Sequence, residues 1–303
     1  MLVLILIEAL LYTAVLSLFF TPLNFPIAKK IGAIDTPKDS RRMHRFPTPR
    51  LGGLSIFVAF LFVAFAMQKE VAPEFLYLAI GAIIIVTTGI IDDSTGLSPY
   101  FKLLCQAVSV AIFLLPINSL YNLGLINSAI FFIFILTLIN AHNFIDGLDG
   151  LCTGISIIES LSLGIIFVLI YRHDLSIIAF IICGAYVGFF PYNYKNAKIF
   201  MGDTGSTFIG YSLGALATLL FLNSSGENNV LSILLIFLVP LFDIFLAVTR
   251  RISKGKNPFF PDRFHIHHIL YDIGLGHRGT SLLLRIISLF FSLVGIILFV
   301  ASK

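Results

Sequence analysis

Of the 303 residues, 58% are hydrophobic and only 12% are charged, and the mean hydropathy is +0.98. Ordinary soluble domains use roughly 45–50% apolar residues, and 20 Lys and Arg with 16 Asp and Glu are too few to cover a soluble surface of this size. A water-soluble globule is excluded.

The apolar residues arrive in runs near twenty long, the length that crosses roughly 30 Å of hydrocarbon. In chain order the runs cover 2–20, 51–67, 74–91, 101–116, 125–140, 152–171, 175–190, 204–222, 230–249 and 280–301. They are continuously apolar rather than alternating, which selects helices over a barrel. The expected fold is all-α: a polytopic membrane helix bundle of about ten transmembrane helices, forming one domain over 1–303. The first run lacks a basic n-region and is long enough to cross, so it is expected to stay in the mature chain.

Cations cluster in the segments 21–50, 191–203 and 250–285 and at Lys102, leaving only Lys69, Arg172 and Lys303 on the opposite side. The positive-inside rule places those segments in the cytoplasm, with both termini outside. Outer loops are short and nearly featureless. Cys105, Cys152 and Cys183 show no paired spacing, which argues against a disulfide framework or a thiolate metal site.

The ionisable residues gather on the cytoplasmic side. Asp92, Asp93, Asp146, Asp149 and Asp203 all fall at span ends, and five converging carboxylates call for a hard divalent cation with oxygen ligands. Asp92 and Asp93 end one span, and an antiparallel hairpin returns Lys102 beside them; a solvated turn with a snorkelling lysine is the plainer alternative. In NAHNFIDGLDGL, Asn140, Asn143, Asp146 and Asp149 recur every three residues, and Gly147 and Gly150 allow close backbone approach. The closing Glu of a calcium loop is absent. In KIFMGDTGS a helix begins, with Asp203, Thr204 or Ser206 available as its cap and with amides facing an anion. In PDRFHIHHIL, His265 and His268 share a helical face while His267 points elsewhere, and zinc lacks an obvious fourth ligand. Arg263 with the imidazoles suits a phosphate better, and His44, Arg45 and Arg50 pose the same choice between phosphate grip and plain basic loop. Glu8 and Glu159 are read as snorkelling or helix-contact residues, whereas Asp243, after Pro240, lies near enough to join the site. The small number of ionisable groups at mid-span depth disfavours a lipid-phosphate or nucleotide-sugar transporter.

Taken together, IDTPKDSRRMHRFPTPRLGG (34–53), Asp92-Asp93 with Lys102, NFIDGLDGL (143–151), IFMGDTGS (199–206) and HIHH (265–268) resemble the successive signature loops of the polyprenyl-phosphate N-acetylhexosamine-1-phosphate transferases. HIHH and the DTPKDSRRMH opening look like the bacterial GlcNAc-1-phosphate branch rather than the phospho-MurNAc-pentapeptide translocases.

The resemblance implies Mg2+, with Mn2+ as a substitute, a UDP-sugar donor, a polyprenyl phosphate acceptor in the bilayer of the inner membrane, no nucleic-acid partner, and room for a homodimer. It implies that Asn143 and Asp203 hold the metal. Asp146, Gly147, Leu148, Asp149 and Phe200 would contact the nucleotide, with Phe200 stacked on uracil. Asp92, Asp93, Lys102 and His265 would be catalytic. Arg263, His267, His268, His44 and Arg45 would grip phosphate or sugar.

Overall fold

The computed structural model describes residues 1–37, 46–67, 69, 72–224, 226, 228–255 and 265–302. Lipid offers no partner for backbone amides and carbonyls, so apolar runs close their hydrogen bonds internally as helices. The chain starts with α1 (Leu2–Phe20), makes a 3-10 turn at Thr21–Leu23 and continues as α2 (Asn24–Ile31), stopped by Gly32 at a φ of 78°. A short antiparallel ladder then pairs β1 (Ile34–Asp35) with β2 (Thr48–Pro49). The remainder is helical: α3 (Gly52–Ala66), α4 (Phe75–Thr95), α5 (Pro99–Tyr121), α6 (Gly124–Ile145), α7 (Leu151–Leu169), α8 (His173–Asn193), α9 (Gly202–Leu222), α10 (Asn229–Ile236), α11 (Leu238–Ser253), α12 (Ile266–Leu270) and α13 (Gly276–Ala301).

This is a polytopic membrane helix bundle. Every one of the expected apolar runs is helical, but the span count differs from ten. Among the described residues eight helical segments are long and apolar enough to cross, and α10 with α11 makes a ninth if that bent pair is one span. The shortfall is α3, whose 15 residues reach roughly 22 Å at about 1.5 Å per residue.

α9 is the axis of the bundle, with 89% of its apolar window buried, against 22% for α6. Residues such as Phe62, Leu125, Ile133 and Phe290 face outward, where lipid takes the place of water. Small residues set the closest approaches. Gly53 of α3 and Gly89 of α4 lie directly on the backbone of Thr204 and Gly205, and a Cβ at either would collide with main chain. That packing brings the C-terminal end of α4 onto the first turn of α9. The axes of α10 and α11 differ by 79°; Pro240 has no N–H for the Ile236 carbonyl, which weakens the helix at the break.

The opposite end of the bundle is less featureless than its short loops suggest. Arg172 donates to Glu74 (3.2 Å), Asp174 (2.9 Å), Tyr121 (3.3 Å) and Asn223, tying together the ends of α4, α5, α8 and α9. Burial works against its charge, but the bonds to Asp174 and Tyr121 and the charges of Asp174 and Glu74 carry its pKa above the ordinary value. Arg172→Ala is expected to destabilise the protein by about 2 kcal/mol, the scale of leaving buried acceptors unmatched. Its melting temperature in detergent falls while turnover stays near wild type, because the cluster lies at the far end of α4 and α9 from Asp93 and Asp203. Lost turnover with unchanged melting overturns this assignment.

Candidate active site

The first turn of α9 needs acceptors for its free N–H groups. None of its own side chains caps it. Asp93, arriving from α4, accepts from Asp203 N (3.0 Å), Thr204 N (3.1 Å) and Thr204 Oγ1 (2.7 Å). The expected cap by Asp203, Thr204 or Ser206 is therefore replaced by an inter-helix cap, and these amides are already taken by a carboxylate. A charged acceptor at a helix start outcompetes a neutral one, and Gly202, at a φ of 69°, admits it at close range. Asp93 is 1% exposed, and Arg50 stands beside it, Nε donating to its carbonyl at 3.2 Å.

Asp92 accepts from Leu97 N (2.7 Å) and from Lys102 Nζ (3.0 Å). The α4–α5 hairpin thus returns Lys102 to the carboxylate, and Lys102 also pairs with Asp203. One ammonium bridges two carboxylates from different helices. Asp92, Lys102 and Asp203 share a recess with Gln106 and Thr207 between α4, α5 and α9.

Asp203 also opens onto a cavity of about 770 Å³ lined by Asp93, Asn143, Asp146, Gly147, Leu148, Asp149, Phe200 and His268. Asn143 donates to Ser206 Oγ at 3.1 Å, on the first turn of α9. Asn140 bonds Gln106 at 2.9 Å instead, as a contact between helices. Asp146 ends α6, and burial, followed by the charges of Asp203, Asp93 and Asp149, pushes its carboxyl well above the usual carboxylate range. Asp149 is fixed on both sides. Its Oδ2 accepts from Ala197 N (2.9 Å) and its carbonyl from Ser281 Oγ (3.2 Å).

The histidines cluster differently from the helical spacing. His265 is extended (φ −68°, ψ 155°) ahead of α12 rather than within it. All three rings therefore gather: His265 stacks on His267 at 5.7 Å, and His267 lies 4.2 Å from His268. His267 does not point elsewhere. It is buried against Gly147, where a Cβ would meet its ring, and His268 alone of the three lines the cavity. The bend before α11 turns Asp243 to them, its carboxylate accepting from His265 Nδ1 and Ile266 N, each at 2.7 Å. Glu159 is a helix contact, bonded to His142 at 2.7 Å in the bundle interior. His44, Arg45 and Arg263 lie outside the described residues.

Residues 75–221 match the family described as Glycosyl transferase family 4. A probable undecaprenyl-phosphate N-acetylglucosaminyl 1-phosphate transferase of Bacillus subtilis (strain 168) is 34% identical over 293 residues, spanning 93% of this chain and 81% of its own length. The chain belongs to glycosyl transferase family 4. A decaprenyl-phosphate N-acetylglucosaminephosphotransferase of Mycobacterium leprae (strain TN) is 32% identical over 97% of this chain and 82% of its own. An undecaprenyl-phosphate alpha-N-acetylglucosaminyl 1-phosphate transferase of Thermotoga maritima (strain ATCC 43589 / DSM 3109 / JCM 10099 / NBRC 100826 / MSB8) is 32% identical over 94% and 89%.

The family 4 match contains Asp92, Lys102, Asn143, Asp146, Asp149, Phe200 and Asp203. The cavity also gathers Lys195, Asn196, Tyr271, His277 and Arg278, which the motifs passed over. A His-Arg pair between two glycines in GLGHRG was the available signal for the last two; in a basic segment between spans it reads as topology.

Proposed function

We propose that this family 4 chain transfers GlcNAc-1-phosphate from UDP-GlcNAc to a membrane polyprenyl phosphate of the undecaprenyl type. The products are polyprenyl diphosphate-GlcNAc and UMP, in the first membrane step of a cell-envelope glycopolymer pathway. The observation that carries this reading is the convergence of loops from distant parts of the chain on one cavity at one end of a lipid-facing bundle. A polyprenyl tail partitions into lipid while a nucleotide sugar dissolves in water, so their phosphates can meet only at that boundary. The basic segments at this end favour the cytoplasmic face of the inner membrane, with both termini at the outer end.

The donor set fits magnesium. Asp203, Asp146 and Asn143 line one cavity, which puts carboxylate and amide oxygens within one space for a hard cation. Among the described residues no three His, Cys, Asp or Glu side chains are grouped closely enough to hold a metal by themselves, so on this reading water and phosphate oxygens would complete the ion's coordination. When bound, magnesium, for which Mn2+ can substitute, neutralises the donor diphosphate and its leaving group.

The acceptor phosphate attacks the sugar-bearing phosphorus, and the bond to the UMP oxygen breaks. Lys102 offsets negative charge at Asp203, the histidine cluster faces phosphate or sugar through His268, and Phe200 and the 147–149 loop hold uridine. A phosphate monoester, with a second pKa near ~6, is largely dianionic at neutral pH. It needs no base, and both Asp93 oxygens already accept hydrogen bonds. Direct displacement is therefore preferred over an aspartyl-phosphate intermediate. A transporter would place unpaired ionisable groups along a path through the bundle, whereas His142 and Glu159 are paired and fully buried.

Purified protein with magnesium, polyprenyl phosphate and a panel of UDP-sugars is expected to release UMP with UDP-GlcNAc. No UMP with any sugar from folded protein refutes the transferase, and release only with UDP-MurNAc-pentapeptide refutes the assigned donor. Chelation with EDTA is expected to stop turnover and added Mg2+ to restore it; turnover that persists after exhaustive chelation removes the metal from the scheme.

A further inference from the structure

Among the described residues, two cations line the cavity without a hydrogen bond or ion pair, Lys195 and Arg278. The other cations near the carboxylates are engaged, Arg50 on Asp93 and Lys102 on Asp92 and Asp203. Lys195 and Arg278 are exposed, whereas Asp93 is buried and Asp203 half-buried, so the cavity has a cationic rim above an acidic floor.

Both rim residues are held there by the loop that carries Asp149. Lys195 and Asn196 have φ of 59° and 60°, left-handed values that a lysine rarely adopts. The turn is pinned on each side: Ala197 N to Asp149 (2.9 Å), Lys198 N to the Tyr192 carbonyl (2.8 Å) and Asn193 Nδ2 to the Ile199 carbonyl (3.2 Å). Such a conformation persists where its surroundings over-determine it, commonly at ligand sites. It places Lys195 on the cavity wall, while the neighbouring Lys198 does not line it. Arg278 lies one helical turn before Ser281, whose hydroxyl donates to the Asp149 carbonyl.

We propose that Lys195 and Arg278 capture the diphosphate of the donor nucleotide at the cavity rim, in a contact made before transfer and kept through it, so that they set donor affinity rather than the rate of the chemical step. This rests on the transferase reading and adds donor-capturing residues to it. An interaction equal in ground and transition states appears in KM and leaves kcat alone.

The test compares Lys195→Asn, which removes the charge while keeping a residue tolerant of the left-handed region, with Arg278→Gln and with Lys198→Gln, the same loss of charge outside the cavity. Donor KM, kcat and equilibrium binding of UDP are measured at low and high salt. Each cavity variant is expected to raise KM and weaken UDP binding roughly 3- to 5-fold, the scale of one exposed charge contact. Their double variant approaches the product of the two, kcat is retained and the salt dependence is shallower. Lys198→Gln matches wild type. Wild-type turnover with unaltered KM and UDP binding in either cavity variant overturns the rim contact, as does an equal effect of Lys198→Gln. Folded wild type that releases no UMP tells against the transferase instead.

Discussion

Asp203→Asn is expected to lower kcat by a factor on the order of 10²–10³, the scale of removing one preorganised electrostatic group from a transition state, while the bundle stays assembled. Three functions meet at this side chain. It pairs with Lys102, it lines the cavity beside Asn143 and Asp146, and it belongs to the first turn of the central helix. Asparagine keeps the shape, and the main-chain N–H of residue 203 still donates to Asp93, so the cap of α9 survives. What goes is the charge. Lys102 is left with Asp92 alone, and the cavity floor loses the carboxylate that the proposed magnesium would use. Melting temperature and UDP binding through the 147–149 loop should stay near wild type while UMP release in a single turnover collapses. A variant within a few-fold of wild type would remove Asp203 from the chemistry.

What the sequence made legible follows from interactions that are local or driven by solvent. The spans were readable because lipid demands unbroken apolar helices, and Lys102 because a hairpin of fixed length can return to few places. The gathering of Asp146, Asp149 and Asp203 followed from their positions at span ends on one side. The cap of α9 by Asp93 was not readable, since it depends on Gly53 and Gly89 letting three helices approach at the backbone. The histidines were misplaced because helical spacing assumes that His265 is in the helix, whereas its bond to Asp243 draws it out. Lys195 and Arg278 were hidden for another reason: a lone cation in a loop between spans has the same sequence signature whether it orients the protein or lines a cavity.

Asp93→Asn is expected to cost both stability and turnover, which separates it from Asp203→Asn. The Asp93 carboxylate receives three donors and is closed off from water. An asparagine supplies one acceptor oxygen, and in either orientation its NH2 group faces a main-chain N–H, that of Asp203 or of Thr204, which has no lone pair to accept with. An unmatched buried donor costs about 1–3 kcal/mol, and losing the negative charge at the start of α9 adds roughly 1 kcal/mol. Arg50 loses its counter-charge as well. The melting temperature should drop by on the order of 3–6 °C, using the usual conversion for a chain of this size. Activity should fall with it, because Asp203 and Thr204 are positioned by the same carboxylate. Glutamate should not rescue the variant, since the added methylene has no room against Gly202. Unchanged melting with abolished turnover is the contrary result. It would mean that the cap is dispensable and that Asp93 acts directly on the acceptor phosphate.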